Sequence, residues 1–267
     1  MSIQVKADWW KTLFDQVYLL TDQRTVGNPE LTKAEIDLLF ELLPIEPGHR
    51  ILDLCGGHGR HSLELCSRGY SSLTLLDFSA SLLDTAKGEA KRHDRRFNLV
   101  QADARTLPLS SNSFDHVLIL GNSLGYGPDI ASDRTILGQA HRVLRPGGSI
   151  LLDVTDREAM VRSFTPSAWH EIGEDILVCR SRERNGSTVR ARELVLSKER
   201  GLIRDQAYAI RLYEPSELLQ LLAGSGFTNL KLHTKDSLGP KHGDCGFMNN
   251  RILASGQKES DSPRLDV

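Results

Sequence analysis

The sequence predicts an α/β fold: a seven-stranded, mostly parallel sheet with helices on both faces, an N-terminal helical cap and an antiparallel β insertion. Three observations lead there. Short apolar runs alternate with helical stretches from Arg50 to Val154. Some runs, such as Val117-Leu118-Ile119-Leu120, are apolar without a break, as strands buried on both faces are. Between 165 and 213 the alternation stops and strand-like segments follow one another directly.

Each element follows from local chemistry. Trp9, Trp10, Leu13, Phe14, Val17 and Tyr18 recur at spacings of three and four, which predicts an amphipathic helix. A second helix is expected from Thr32, where Thr32-Lys33-Ala34-Glu35 has the capping-box form and Leu31 and Ile36 stand as a hydrophobic staple. It should stop by Leu43, because Pro44 and Pro47 cannot continue it. Strands are then expected at 51–55, 73–78, 99–103, 114–120 and 149–154, with a helix running from the glycine turn through about Arg68 and others at about 81–93 and 133–144. Asn185-Gly186 marks a hairpin, since this pair supplies the positive φ of a type I′ turn. A strand from Asp205 to Tyr213 should follow, then a helix from Glu217 to Leu222 stopped by Gly224 and Gly226. Strands at 230–233 and 250–254 complete the sheet. The chain thus divides into a helical cap at 1–48, a core at 49–164, an insertion at 165–213, the rest of the core sheet at 214–256 and an unpatterned tail at 257–267.

Composition narrows the function classes. With 267 residues the chain buries about three-quarters of its unfolded surface, enough for a core without metals or disulfides. Thirty-three basic against 35 acidic residues argue against a dedicated nucleic-acid binder. Cys55, Cys66, Cys179 and Cys245 lack CxxC spacing, so neither a structural zinc site nor a disulfide framework is expected. The N-terminus shows no signal peptide and no apolar run is long enough to span a membrane, so the cytoplasm is the expected location.

The sharpest motif is Asp53-Leu54-Cys55-Gly56-Gly57-His58-Gly59-Arg60-His61-Ser62, a strand leading through glycines into a helix. Bare backbone and a helix N-terminus let a ligand approach closely. Asp77, twenty residues beyond Gly57, stands where a carboxylate accepts both hydroxyls of a ribose. Taken alone, this is also what any glycine turn in an α/β protein looks like. A dinucleotide site is the natural competitor, but Ser62 occupies the position where that fingerprint wants Gly or Ala. Asp53 and Asp103 add acids that pyrophosphate binding leaves unexplained; they suit a ligand with a cationic end and a nucleoside end.

With these residues assembled, the stretch from about Arg50 to Asp153 resembles the class I S-adenosylmethionine-dependent methyltransferases, a Rossmann-like family. The motifs are LDLCGGHGRHS (52–62), LLDFS (75–79), QADARTLPLSSNSFDHV (101–117) and HRVLRPGG (141–148), in order and at the family's intervals. The resemblance implies S-adenosylmethionine as cofactor. It implies that Asp53 and the backbone at Gly56, Gly57 and Gly59 hold the methionine portion, and that Asp77 takes the ribose with Phe78 against the adenine. Asp103 and Ala104 would edge the adenine, and Gly121 and Asn122 would face the sulfonium.

The segment Gly121-Asn122-Ser123-Leu124 is similar to that of glycine and sarcosine N-methyltransferases and neighbouring small-molecule enzymes, which also carry a β-rich insertion after the fifth strand. The Asp/Asn-Pro-Pro-Tyr motif of base N-methyltransferases and the Pro-Cys loop of cytosine-C5 enzymes are missing. The expected partner is therefore a small-molecule methyl acceptor, with nitrogen favoured over oxygen; neither nucleic acid nor a membrane is expected. Tyr18, Tyr126, Trp169, Arg211 and Tyr213 are candidates to line the acceptor pocket, with core packing or surface pairing as the alternative for each. No catalytic base and no metal are assigned. His61 reads as a first-turn residue making a local contact, His58 as a loop side chain and His141 as solvated; His116, His141 and His170 lack metal-ligand spacing. The basic run from 180 to 204 reads mostly as the wet face of the hairpin, with Glu183 near Arg190 across the strands. Two rivals stay open: an RNA or protein methyltransferase using that basic hairpin, and a non-catalytic cofactor-binding subunit.

Overall fold

The computed structural model describes residues 2–233 and 251–260. Short helices α1 (Trp10–Leu13), α2 (Gln16–Thr21) and α3 (Gln23–Val26) precede α4 (Pro29–Leu42). The capping box expected at Thr32 is not the start of α4. Asn28 caps it by accepting from Leu31 N at 3.1 Å, and Pro29 takes the first turn, where its missing N–H costs nothing. Thr32 and Glu35 are thereby released to face inward, and both are buried.

The core alternates β1 (Ile51–Leu54), α5 (Arg60–Ser67), β2 (Leu73–Asp77), α6 (Ala80–Arg92), β3 (Asn98–Gln101), β4 (Phe114–Ile119), α7 (Ile130–Val143) and β5 (Leu144–Thr155). After α8 (Arg157–Arg162) come β6 (Ser167–Ile172), β7 (Ile176–Asn185), β8 (Thr188–Ser197) and β9 (Gly201–Arg211), then α9 (Pro215–Gly224), β10 (Phe227–His233) and β11 (Arg251–Lys258). The described residues form a seven-stranded sheet in the order β10-β11-β5-β4-β1-β2-β3. β11 runs antiparallel to both neighbours, and the pairings among β1 to β5 are parallel. This is the predicted Rossmann-like architecture.

Successive residues of one strand face opposite cores. Leu52, Leu54, Val117, Ile119, Ile150 and Leu152 pack with Leu137, Ala140, Leu218 and Leu222 of α7 and α9. Ile51, Leu118 and Leu151 pack the other way, on Ile36, Leu39 and Leu65 of α4 and α5. Because β1 pairs with β2 on one side and β4 on the other, the loops after β1 and β4 diverge and open a crevice at their C-terminal ends.

The insertion is a four-stranded antiparallel sheet, β6-β7-β8-β9, rather than a hairpin with one further strand. β6 escapes the sequence pattern because its burial alternates only between exposed and half-buried. Asn185 pairs with Thr188, so the turn is Gly186-Ser187, with the positive φ at Gly186. A type I′ turn at Asn185-Gly186 is therefore not formed. β9 spans 201–211 instead of 205–213. Val189, Ala191, Tyr208 and Ile210 pack on Trp9 and Leu13, which joins this sheet to the N-terminal helices. β11 continues through Lys258, two residues into the expected tail, because its pairing with β5 extends to Gln257 and Ser149. Residues 261–267 and Cys245 lie outside the described residues. No described helix is long and apolar enough to cross a membrane.

Candidate functional site

The loop from β1 to α5 turns on backbone that few side chains tolerate. Cys55, Gly57 and Gly59 have φ of 60°, 58° and 77°. Gly56 is fixed by packing instead: a Cβ there would stand 2.2 Å from Leu75 Cδ1 and 2.5 Å from Asp53 Cγ. The bare loop forms one wall of a cavity that Cys55, Gly56, Gly57, Asp77, Phe78, Asp103, Ala104, Gly121 and Asn122 line together.

Asp53 lies beneath the loop. One carboxylate oxygen accepts from Ser62 Oγ at 2.7 Å, while Oδ1 is buried without a hydrogen-bond partner among the described residues. An orphaned buried acceptor calls for a donor from a ligand or an ordered water. Asp77, at the end of β2, accepts from Gly57 N and Ser79 N, both at 2.8 Å. Burial pushes its carboxyl up despite these bonds. Phe78 meets Trp10 edge-on at 4.8 Å, and the Arg105 guanidinium lies 5.0 Å from the same Trp10 ring. Arg105 also grips Asp103 through Nε at 2.9 Å and Nη2 at 2.5 Å, and holds that carboxyl below its ordinary range. Across the crevice, Gly121 N donates to Asp153 at 3.0 Å and Asn122 Oδ1 accepts from Thr155 N at 2.8 Å. Acid at β2 and apolar and aromatic walls beside β2 and β3 fit the ribose and adenine portions of S-adenosylmethionine, whereas Asp53 and Gly59 do not line the cavity.

Beyond Asn122 the cavity runs between the N-terminal helices and the antiparallel sheet, past Tyr126, Tyr18, Tyr208, Asp22, Arg180, Arg182 and Glu193. Tyr18 and Tyr126 thus both line this cavity. Asp15 caps α2 by accepting from Val17 N and Tyr18 N, and Arg204 pairs with Asp15, so the inserted sheet sets the position of Tyr18. Burial raises the phenols of Tyr18 and Tyr126 well above their ordinary range and that of Tyr208 to about 12.

The other three acceptor candidates lie elsewhere. Trp169 is 71% exposed on β6 and does not line the cavity. Arg211 and Tyr213 both bind Asp133, whose side chain is fully buried, and so tie the end of the inserted sheet to α7. Their polar groups are committed to the fold. Arg180, Arg182 and Glu193 join the cavity without having been expected there, although β-strand parity points to them. Arg180 and Arg182 share the register of buried Ile176 and Val178, and Glu193 that of Val189, Ala191 and Val195. Glu183 and Arg190 do face each other across the hairpin, at 3.7 Å.

The histidines are more committed than expected. His58 faces the cavity and donates from Nε2 to Val26 O at 3.2 Å, and burial lowers it to about 4. His61 is not a local contact; it reaches Glu35 of α4 at 2.9 Å, and burial lowers it too. His141 packs edge-on against Phe227 rather than standing in solvent.

Residues 51–148 match the family model described as a methyltransferase domain. A ubiquinone/menaquinone biosynthesis C-methyltransferase of Ruegeria sp. is 31% identical over 137 residues, 50% of this chain and 52% of that protein, so the match spans about half the length of this relative. Among solved structures, the CcbJ methyltransferase from Streptomyces caelestis superposes with a TM-score of 0.73 at 18% identity, over 92% of this chain and 97% of that one. CalS10, an amino pentose methyltransferase from Micromonospora echinaspora solved with S-adenosylmethionine bound, gives 0.67 at 19% identity, over 92% and 99%. Residues 51–148 thus match a methyltransferase domain, and the chain has the fold of solved S-adenosylmethionine-dependent methyltransferases.

Proposed function

We propose that the protein transfers a methyl group from S-adenosylmethionine to a nitrogen of a small molecule. One observation carries the choice of acceptor atom: the titratable groups around the far chamber are already engaged or poorly basic. Asp22 and Glu193 pair with Arg180, His58 is a neutral imidazole with little basicity, and the Tyr18, Tyr126 and Tyr208 phenols stay protonated. A neutral amine needs no base to attack, whereas a hydroxyl does. Carbon is the second reading, favoured by the C-methyltransferase relative, but carbon attack from a phenol also requires a proton acceptor.

S-adenosylmethionine supplies an electrophilic methyl on a sulfonium, and this chain's residues supply alignment and dryness. Asp77 and the loop at Gly56 and Gly57 fix one end. Tyr18, Tyr126 and Tyr208 wall the other and exclude water. A cavity enclosed between cap and inserted sheet suits a small acceptor better than a polynucleotide. The kinship in fold with an amino pentose methyltransferase supports an amine-bearing acceptor.

The test is incubation with carbon-13 methyl-labelled S-adenosylmethionine and panels of small amines (amino sugars included), phenols and quinols. NMR then reads the atom that carries the label. N-methyl product is expected, and transfer to oxygen or carbon overturns the assignment. RNA or protein labelling would restore the basic-hairpin reading, and tight cofactor binding without transfer would restore the non-catalytic one.

A further inference from the structure

We infer that Arg60 grips the carboxylate of the methionine half of the cofactor, held for that task by Glu35 and Thr32 of α4; the inference rests on the S-adenosylmethionine reading of this site. Arg60 opens α5 directly after the glycine loop, and its side chain is 10% exposed. It lines the cavity. Its Nη1 donates to Thr32 Oγ1 at 2.9 Å and to Glu35. Nη2 has no hydrogen-bond partner among the described residues and points across the crevice, 3.8 Å from where a Cβ on Gly121 would stand. A guanidinium with one edge anchored and the other open to a cavity is prepared for an anion.

The local charges agree. Glu35 and Asp153, both buried, face two guanidiniums. Arg251 lies between them and pairs with both, while Arg60 has only a share of Glu35, whose Oε2 also accepts from His61. Burial and Arg60 hold His61 toward its neutral form. Of the cavity-facing groups in this network, Arg60 is the cation left least neutralised. In S-adenosylmethionine the sulfonium and ammonium are cationic and the carboxylate is the sole anionic group. Glu35 and Thr32 act as positioning residues; α4 is thus part of the cofactor site as well as a cap.

Calorimetry with two ligands tests this: S-adenosylhomocysteine, and 5′-methylthioadenosine, which keeps the nucleoside and thioether but lacks the amino-acid head. Arg60→Met should weaken S-adenosylhomocysteine about tenfold or more and leave 5′-methylthioadenosine within about twofold. Arg60→Lys, which keeps the charge and loses the fork, should fall between. Equal weakening of both ligands, or of neither, overturns the inference. If Arg60→Met fails to fold because Glu35 is left undercompensated, the same comparison is made in Glu35→Gln/Arg60→Met. Wild-type protein that binds neither ligand would instead overturn the cofactor reading beneath it.

Discussion

Arg180 Nη2 lies 2.9 Å from Asp22 Oδ2, a bond that ties β7 of the inserted sheet to the turn between α2 and α3 across the wall of the cavity. The same guanidinium reaches Glu193 at 2.8 Å, and Glu193 is 3% exposed. Desolvating these charges is costly, and removing one partner strands the others. Arg180→Met should therefore destabilise the fold by about 3 kcal/mol, the scale for breaking a buried pair. Urea denaturation decides it. A loss under about 1 kcal/mol would mean that the bridge behaves as a solvated surface pair.

Two glycines separate packing from propensity. Gly56→Ala places a methyl against Leu75 and Asp53 with no room to relax, and should abolish measurable cofactor binding or folding. Gly88 lies inside α6, and nothing comes within 4 Å of where its Cβ would stand, so Gly88→Ala should stabilise by about 0.5–1 kcal/mol. Thermal melts of both variants check the pair. A tolerated Gly56→Ala would mean that the loop can open, and the tight turn would lose its explanation.

The sheet was legible because local signals and burial agree there: uninterrupted apolar strands, glycine turns and capped helices recur at short range. Asp77 and the glycine loop were legible for the same reason, since one βαβ unit contains them. What escaped depends on contacts distant in sequence. Glu35 reads locally as a capping-box acid, yet it meets Arg251 216 residues away. Arg180 and Arg182 read as a solvated basic run until strand parity places them on the inner face beside Asp22. Trp169, Arg211 and Tyr213 have residue types that suit a pocket, but exposure in one case and the buried Asp133 in the others take them out of it. Composition cannot distinguish these outcomes; register and tertiary pairing do.

Asp77 offers a direct measure of the proposed cofactor site. Both of its oxygens already accept loop N–H bonds, which aim the remaining lone pairs at the cavity. Asp77→Ala should weaken S-adenosylhomocysteine by about 1–3 kcal/mol, the scale of hydrogen bonds to a charged group. Calorimetry on the folded variant reads the change. Unchanged affinity would remove the ribose assignment.

The buried imidazoles set the pH dependence of stability. His58 and His116 are both lowered to about 4 from an ordinary value of 6.5, chiefly by burial, and His61 moves the same way. Between about pH 6.5 and 4 the unfolded chain binds protons at these positions that the folded chain refuses. Stability contributed by the neutral rings is thus complete above the unfolded value and is lost as pH falls toward the folded one. For His116, up to about 3 kcal/mol is at stake at the lower end of that window. Urea midpoints should fall steadily between about pH 7 and 4.5, a range that lies above the titration of the depressed carboxylates Glu35 and Asp103. His116→Gln should flatten part of that slope, because Gln cannot take up a proton in either state. His116 does not line the cavity proposed to hold the cofactor, so the same variant should leave S-adenosylhomocysteine affinity unchanged. A wild-type profile flat over this window, or a slope untouched by His116→Gln, would show that the ring at His116 is free to protonate in the folded protein.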